Sequence, residues 1–227
     1  MGCPDMSAHA PLPITYFSDL LCIYAYASEI RLAKLAEAHG ARIRVQRRFC
    51  VTFGDTEAKI GEGWKDKGGW EGFADHVQEV AAGFPHLEVA QAIWRDVRPA
   101  SSHAPHLFLK AVELACGRED YETATLALRD AFFTEARDIS RGEVQRSIAR
   151  AAGVDVGAAE ARIEDGTAFA ALAGDYEAAE AQKVQGSPTF VFPEGRQKLY
   201  GNVGFRIIEA NVAELLRARD PDEPAWC

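Results

Sequence analysis

The chain has 227 residues, 48% of them hydrophobic, with 25 basic and 34 acidic side chains and a net charge of −9. That apolar fraction supports a full core and excludes general disorder. The acidic balance argues against a nucleic-acid partner, because phosphate binding is driven by positive charge. No apolar run approaches the ~18 residues of a membrane span. Residues 1–12, with Pro4, Asp5, His9 and Pro11, lack the basic start and apolar run of a signal peptide. The five cysteines (Cys3, Cys22, Cys50, Cys116 and Cys227) are odd in number and irregularly spaced. They suit free thiols in a reducing compartment, so a cytoplasmic location is expected.

Residues 13–18 read as a first strand, and a helix is expected from about Ile23 to His39, stopped by Gly40. Residues 41–49 alternate apolar and polar side chains, the mark of a second strand. A strand–helix–strand order with a helical crossover implies parallel pairing. From Trp70 to Lys183 the pattern is helical, with helices expected at 70–83, 103–116, 119–136, 141–152, 156–164 and 167–184. Gly117, Gly153 and Gly166 are the natural breaks, and Ser140 with Glu143 fits a capping box. After Pro188, residues 189–192 and 197–200 read as a hairpin turning at Pro193–Arg196, and 205–218 as a last amphipathic helix. The organisation expected is an α/β thioredoxin domain in two parts, 13–60 and 185–219, interrupted by a helical insertion over 61–184. Tails of 1–12 and 220–227 flank it.

Two separated segments carry the chemistry. The first is Phe17-Ser18-Asp19-Leu20-Leu21-Cys22-Ile23-Tyr24-Ala25-Tyr26, in which Cys22 opens a helix. Unpaired backbone N–H groups and the positive dipole end at a helix start favour thiolate over thiol. Cys22 is therefore expected to be substantially ionised at neutral pH. The second segment is Gly186-Ser187-Pro188-Thr189-Phe190.

In this order the two segments resemble the DsbA-like branch of the thioredoxin superfamily. That group also includes 2-hydroxychromene-2-carboxylate isomerases and kappa-class glutathione transferases. Ser102-His103-Ala104-Pro105-His106-Leu107 and the end of the Gln197–Asn202 segment are similar to the same family. The resemblance implies a thioredoxin fold, a cis peptide before Pro188 close to Cys22, and a helical insertion capping the site. It leaves glutathione open as a ligand and a homodimer open as an assembly. The sequence departs from the redox pattern twice: Ile23 follows the first cysteine, and Ala25 stands where the second is usual.

A single thiol cannot run a dithiol cycle within the motif, but it can add reversibly to a conjugated carbonyl. The expectation is an E/Z isomerase of an unsaturated small molecule or carrier-bound acyl thioester that needs no cofactor. The alternative is thiol exchange or glutathione transfer through mixed disulfides at Cys22. Cys22 is the expected nucleophile. Tyr24, Ser187 and backbone N–H groups are expected to hold the developing oxyanion beside Pro188. Asp19, Ile23, Ala25, Tyr26, His103 and His106 are the expected substrate contacts.

Other residues carry two readings each. His103 and His106 could serve the pocket or polarise a helix start. No further Cys or His lies near them in sequence, so no metal site is expected. Tyr26 suits packing. Trp64, Trp70, Phe73, Phe84 and Trp94 fit a pocket wall or a helical core equally. Arg42, Arg44, Arg47 and Arg48 form a basic stripe on a strand whose exposed face carries Arg42, Arg44 and Gln46, either a solvated edge or a dock for an acidic carrier. Cys50 is placed to approach the active-site end, as a structural residue or a distant resolving thiol.

Overall fold

The computed structural model describes residues 10–193 and 197–218. Strand β1 (Leu12–Ser18) leads to two short helices, α1 (Ile23–Ala27) and α2 (Glu29–His39), and then to β2 (Ile43–Phe49). Six helices follow among the described residues: α3 (Gly69–Ala82), α4 (His103–Cys116), α5 (Arg118–Phe133), α6 (Gly142–Ala151), α7 (Val156–Glu164) and α8 (Thr167–Ala181). The described chain ends with β3 (Thr189–Val191), β4 (Lys198–Tyr200) and α9 (Phe205–Arg217). The four strands form one mixed sheet in the order β2-β1-β3-β4. β1 runs parallel to β2 and antiparallel to β3, and β3 runs antiparallel to β4. This is a thioredoxin fold with its helical block inserted between β2 and β3.

β1 has neighbours on both sides and is covered on both faces. Its alternate residues Leu12, Ile14 and Tyr16 join Leu32 and Leu35 of α2, Phe190, and Ile208 and Val212 of α9. Phe17, on the opposite face, packs with Cys50, Val191 and Ala179 of α8. β2 is an edge strand, and Arg44 and Gln46 are exposed on it. Arg47 and Arg48 depart from that solvated stripe. Arg47 makes two 2.9 Å hydrogen bonds to the Glu29 carboxylate, and Arg48 lies 3.5 Å from Asp175.

The expected helix 23–39 breaks at Ser28. The Ser28 hydroxyl donates to the Tyr24 carbonyl at 2.8 Å. Its N–H is shared between the Tyr24 and Ala25 carbonyls at 3.1 and 3.2 Å, a tightened turn. Gly117, Gly153 and Gly166 end their helices with φ of 89°, 84° and 81°, values that favour glycine. The Ser140–Glu143 capping box does not form. Ser140 Oγ donates to Asp138 at 2.6 Å, and Arg141 takes the cap position of α6. Residues 57–62 form a wide π-type turn with no counterpart in the sequence reading. Glu194–Arg196 of the expected hairpin turn lie outside the described residues, as do Cys3 and Cys227.

α4 runs through the middle of the helical block with Phe108, Leu109, Ala111 and Val112 buried. The cluster around it also holds Leu20, Leu21, Cys22, Ile23 and Ala25. The turn between β1 and α1 is thus built into the seam between sheet and helical block. Most of the aromatic group resolves as core: fully buried Trp94 meets the rings of Phe53, Trp70, Phe73 and Phe132 at 5.3–6.1 Å, and Trp64 packs against the same cluster, whereas Phe84 lies outside it, its ring 5.6 Å from the Arg31 guanidinium. Among the described residues, no helix is long and apolar enough to cross a membrane.

The seam also contains an ion triad. Glu29 at the start of α2 bonds both Arg47 and the fully buried Arg129 of α5. Removing the shared carboxylate leaves two guanidinium groups facing each other out of water, a loss of roughly 3–5 kcal/mol. Glu29→Gln is expected to lower the urea-unfolding free energy by that order. Glu122→Gln, which removes only the half-exposed partner 3.8 Å from Arg47, is expected to cost less than about 1 kcal/mol. Equal effects would show that the triad does not hold the seam.

Candidate active site

Cys22 sits in extended conformation just before α1, with φ −84° and ψ 118°. Its thiol donates to the Ser187 carbonyl at 3.3 Å, and the Ser187–Pro188 peptide is cis. The Ser187 hydroxyl accepts from the Asp19 N–H at 2.8 Å, which leaves its own proton to donate. The loop that carries it is fixed locally. Thr189 Oγ1 donates to the Gly186 carbonyl at 2.7 Å, and the Gly201 N–H donates to the Pro188 carbonyl at 2.8 Å. A Cβ at position 186 would press to 3.0 Å from Tyr200 Oη and 3.1 Å from its ring.

The expectation of an ionised Cys22 is overturned in this conformation. Only 6% of the residue is exposed, and burial pushes the thiol up from its ordinary range. The Ser187 hydroxyl and the N–H groups of Ala25 and Tyr24 pull the other way and lose. The 3.3 Å acceptor at Ser187 also favours a protonated sulfur, since only the thiol can donate to a carbonyl.

Asp19 is corrected from substrate contact to structural hub. It is fully buried. One carboxylate oxygen accepts from the Leu21 N–H at 3.0 Å. The other accepts from the Thr52 and Phe53 N–H groups at 2.8 and 2.9 Å and from Ser102 Oγ at 2.8 Å. His106 is likewise corrected, being wholly buried. Its ring stacks on Phe49 at 4.2 Å, and its Nε2 accepts from the Leu20 N–H at 3.0 Å. That donor fixes a neutral tautomer with the proton on Nδ1, which lies 3.1 Å from the Tyr176 hydroxyl. Tyr176 in turn lies 3.0 Å from Nδ1 of His103, which is exposed.

Cys22, Ser187 and Pro188 therefore come together, with Tyr24 half-buried against the same core. Ile23 and Ala25 are buried and face the core, so neither offers a substrate contact. Tyr26 stacks on Phe133 at 4.8 Å and donates to Asp130 at 2.6 Å, which makes it a packing residue. Cys50 follows β2 and donates its N–H to the Ser18 carbonyl at 3.2 Å, next to the loop that carries Asp19. Burial pushes its thiol up as well. Tyr176 and Ser102 were not singled out from sequence as site residues. Tyr176 had a weak signal, as a hydroxylated ring in the alanine-rich α8. Among the described residues, no cluster of three or more His, Cys, Asp or Glu side chains is placed to hold a metal ion.

The raised thiol gives a first pH signature. Alkylation of Cys22 by iodoacetamide, followed by peptide mass spectrometry, is expected to quicken about tenfold per pH unit through pH 9. A plateau already reached below pH 7 would show an ionised resting thiol instead.

His106 gives a second. Burial pushes its pKa down to about 4, against about 6.5 in an unfolded chain. The unfolded chain therefore binds this proton more readily. Stability is fully present above pH 6.5 and falls as pH drops towards 4, by roughly 3 kcal/mol from this residue. His106→Phe is expected to flatten that slope in thermal melts between pH 7 and 4.5. It should also cost about 1–3 kcal/mol at pH 7 for the orphaned Leu20 N–H. An unchanged slope in the variant would assign the acid sensitivity elsewhere.

The chain is similar in sequence and fold to known proteins. The ClpXP adapter protein SpxH of Halalkalibacterium halodurans is 29% identical over 221 residues, covering 94% of this chain and 71% of the relative. The cytosolic disulfide reductase DsbM of Pseudomonas aeruginosa, solved with GSH, superposes with a TM-score of 0.67 at 21% identity, over 91% of this chain and all of that one. A 2-hydroxychromene-2-carboxylate isomerase superposes with a TM-score of 0.65 at 19% identity, over 91% of this chain and 97% of the other. The DSBA-like thioredoxin domain pattern matches residues 13–213, and the chain belongs to that family.

Proposed function

We propose that the protein isomerises a conjugated C=C bond by reversible addition of Cys22. The observation that carries this is the pairing of a buried thiol with Ser187 at the cis-proline loop, while fully buried Ala25 occupies the motif's second-cysteine position. In the step proposed, sulfur bonds to the carbon β to an acyl carbonyl. The C=C electrons move to the oxygen, and the thiol proton follows them, giving a neutral enol. The former double bond rotates, and the same electrons return to expel the thiol. Nothing is consumed, so no oxidant or second thiol is required. The Ser187 hydroxyl, held by the Asp19 N–H, is the donor to the oxygen in the adduct. A neutral intermediate suits this seam, because burying a fresh charge there is costly.

A second reading is mixed-disulfide exchange at Cys22 with glutathione, in a reducing cytoplasm. It draws on the likeness to the reductase solved with GSH and on the free thiols of Cys22, Cys50 and Cys116.

The test is isomer composition by chromatography, with conjugated polyenoyl thioesters as substrates. Wild type is expected to equilibrate E and Z forms without glutathione, Cys22→Ala to fall to background, and Ser187→Ala to slow by about tenfold to a hundredfold. Isomerisation by Cys22→Ala at the wild-type rate would sink the proposal. An absolute need for glutathione would make the glutathione thiol, not Cys22, the group that adds, and would overturn the role proposed for Cys22.

A further inference from the structure

A cleft of about 480 Å³ lies between α4 and α8, lined by His103, Ala104, Leu107, Phe169, Leu172, Ala173 and Tyr176. Its size suits a small ligand, and its wall is apolar apart from one histidine and one phenol. Phe169 is 55% exposed on it, an uncommon position for so large an apolar ring.

The polar end of this cleft has a defined hydrogen-bond polarity. The Leu20 N–H can only donate, so Nε2 of His106 must accept and Nδ1 must carry the proton. That proton goes to the Tyr176 oxygen, which leaves the Tyr176 hydroxyl its own proton to donate onward to Nδ1 of His103. With Nδ1 accepting, the neutral His103 ring carries its proton on Nε2. The chain thus sets a tautomer on an exposed histidine from a backbone amide two residues before Cys22. Nε2 lies 3.0 Å from where a Cβ on residue 54 would sit, a point only 2.6 Å from Val51 Cγ1, so glycine there avoids pressing on both side chains. Tyr176 also lines a second cleft that reaches Gly186, next to Ser187.

We infer that the α4–α8 cleft binds the apolar chain of an unsaturated acyl group, with His103 Nε2–H donating to a carbonyl or carboxylate oxygen of that ligand. His103 is then a binding residue, and Tyr176 and His106 are positioning residues that aim its proton. The inference deepens the proposed function by naming the chemistry of the substrate, and rests on it only for which bond reacts.

The test is a fluorescence titration with cis-parinaric acid, its methyl ester and diphenylhexatriene, a conjugated hydrocarbon without an oxygen. Wild-type protein and Cys22→Ala are expected to bind the acid and the ester saturably. Phe169→Asp should lose all three probes. His103→Leu should weaken acid and ester by about tenfold, one hydrogen bond's worth, and leave the hydrocarbon unchanged. Tyr176→Phe should weaken the oxygen-bearing probes alone. His103 and Phe169 are exposed, so these two variants should fold, which circular dichroism checks. Three outcomes overturn the inference: no saturable binding, binding untouched by Phe169→Asp, or an equal loss of acid and hydrocarbon in His103→Leu. Binding that persists while no protein isomerises anything would leave the cleft standing and remove the proposed chemistry.

Discussion

The site depends on the buried carboxylate of Asp19. It is the last residue before the turn that carries Cys22, and it accepts four hydrogen bonds from three stretches of chain: its own turn, the loop after β2, and the start of α4. Its N–H reaches a fourth, the cis-proline loop, through Ser187. A buried carboxylate without such donors would be expelled or neutralised. With them, it welds sheet and helical block at the point where the thiol must be held. Arg129 and Glu29 support the same seam further back, Arg129 also donating to Ser18 at 3.2 Å.

Welding the turn in this way buries the thiol. The donors around Cys22 are those that would stabilise a thiolate, yet desolvation outweighs them while the seam is closed. The balance depends on water access, and the donor set would count for more once a polar ligand atom lies beside the sulfur. A resting thiol that is protonated, shielded and next to an acceptor is guarded against stray oxidation, which attacks thiolates.

Much of the architecture could be read before any coordinates. Helices at 103–116 and 156–164 fall where 3.6-residue periodicity and terminal glycines put them, because those signals are local. The break at Ser28 was missed because a serine hydroxyl returning to the carbonyl four residues back looks the same in sequence as a serine facing solvent. The site was less readable. Cys22, Ser187 and Pro188 were found through their order in two motifs. The role of Asp19 was misassigned because its partners Thr52, Phe53 and Ser102 lie 33, 34 and 83 residues away. The ionisation of Cys22 was misjudged for a related reason. A helix start is visible in sequence, but the packing that removes water from it is not.

The position of Ala25 bears on which chemistry the fold can host. Its side chain lies in the same apolar cluster as Leu21 and Ile23, and it is fully buried. Its carbonyl takes the hydroxyl of Tyr16, a residue of the central strand, at 3.4 Å. A resolving thiol at this position would have to reach Cys22 from within the core. Among the described residues, the nearest other cysteine along the chain is Cys50, which is held to Ser18 through its backbone and buried against Phe17. With Cys50 so held, disulfide exchange has to draw its second sulfur from solution or from a cysteine outside the described residues, through a seam that leaves little of Cys22 exposed. Addition and elimination need no second sulfur. They require only that an unsaturated chain be laid beside the one thiol, with a donor at its oxygen, and Ser187 already stands at that sulfur.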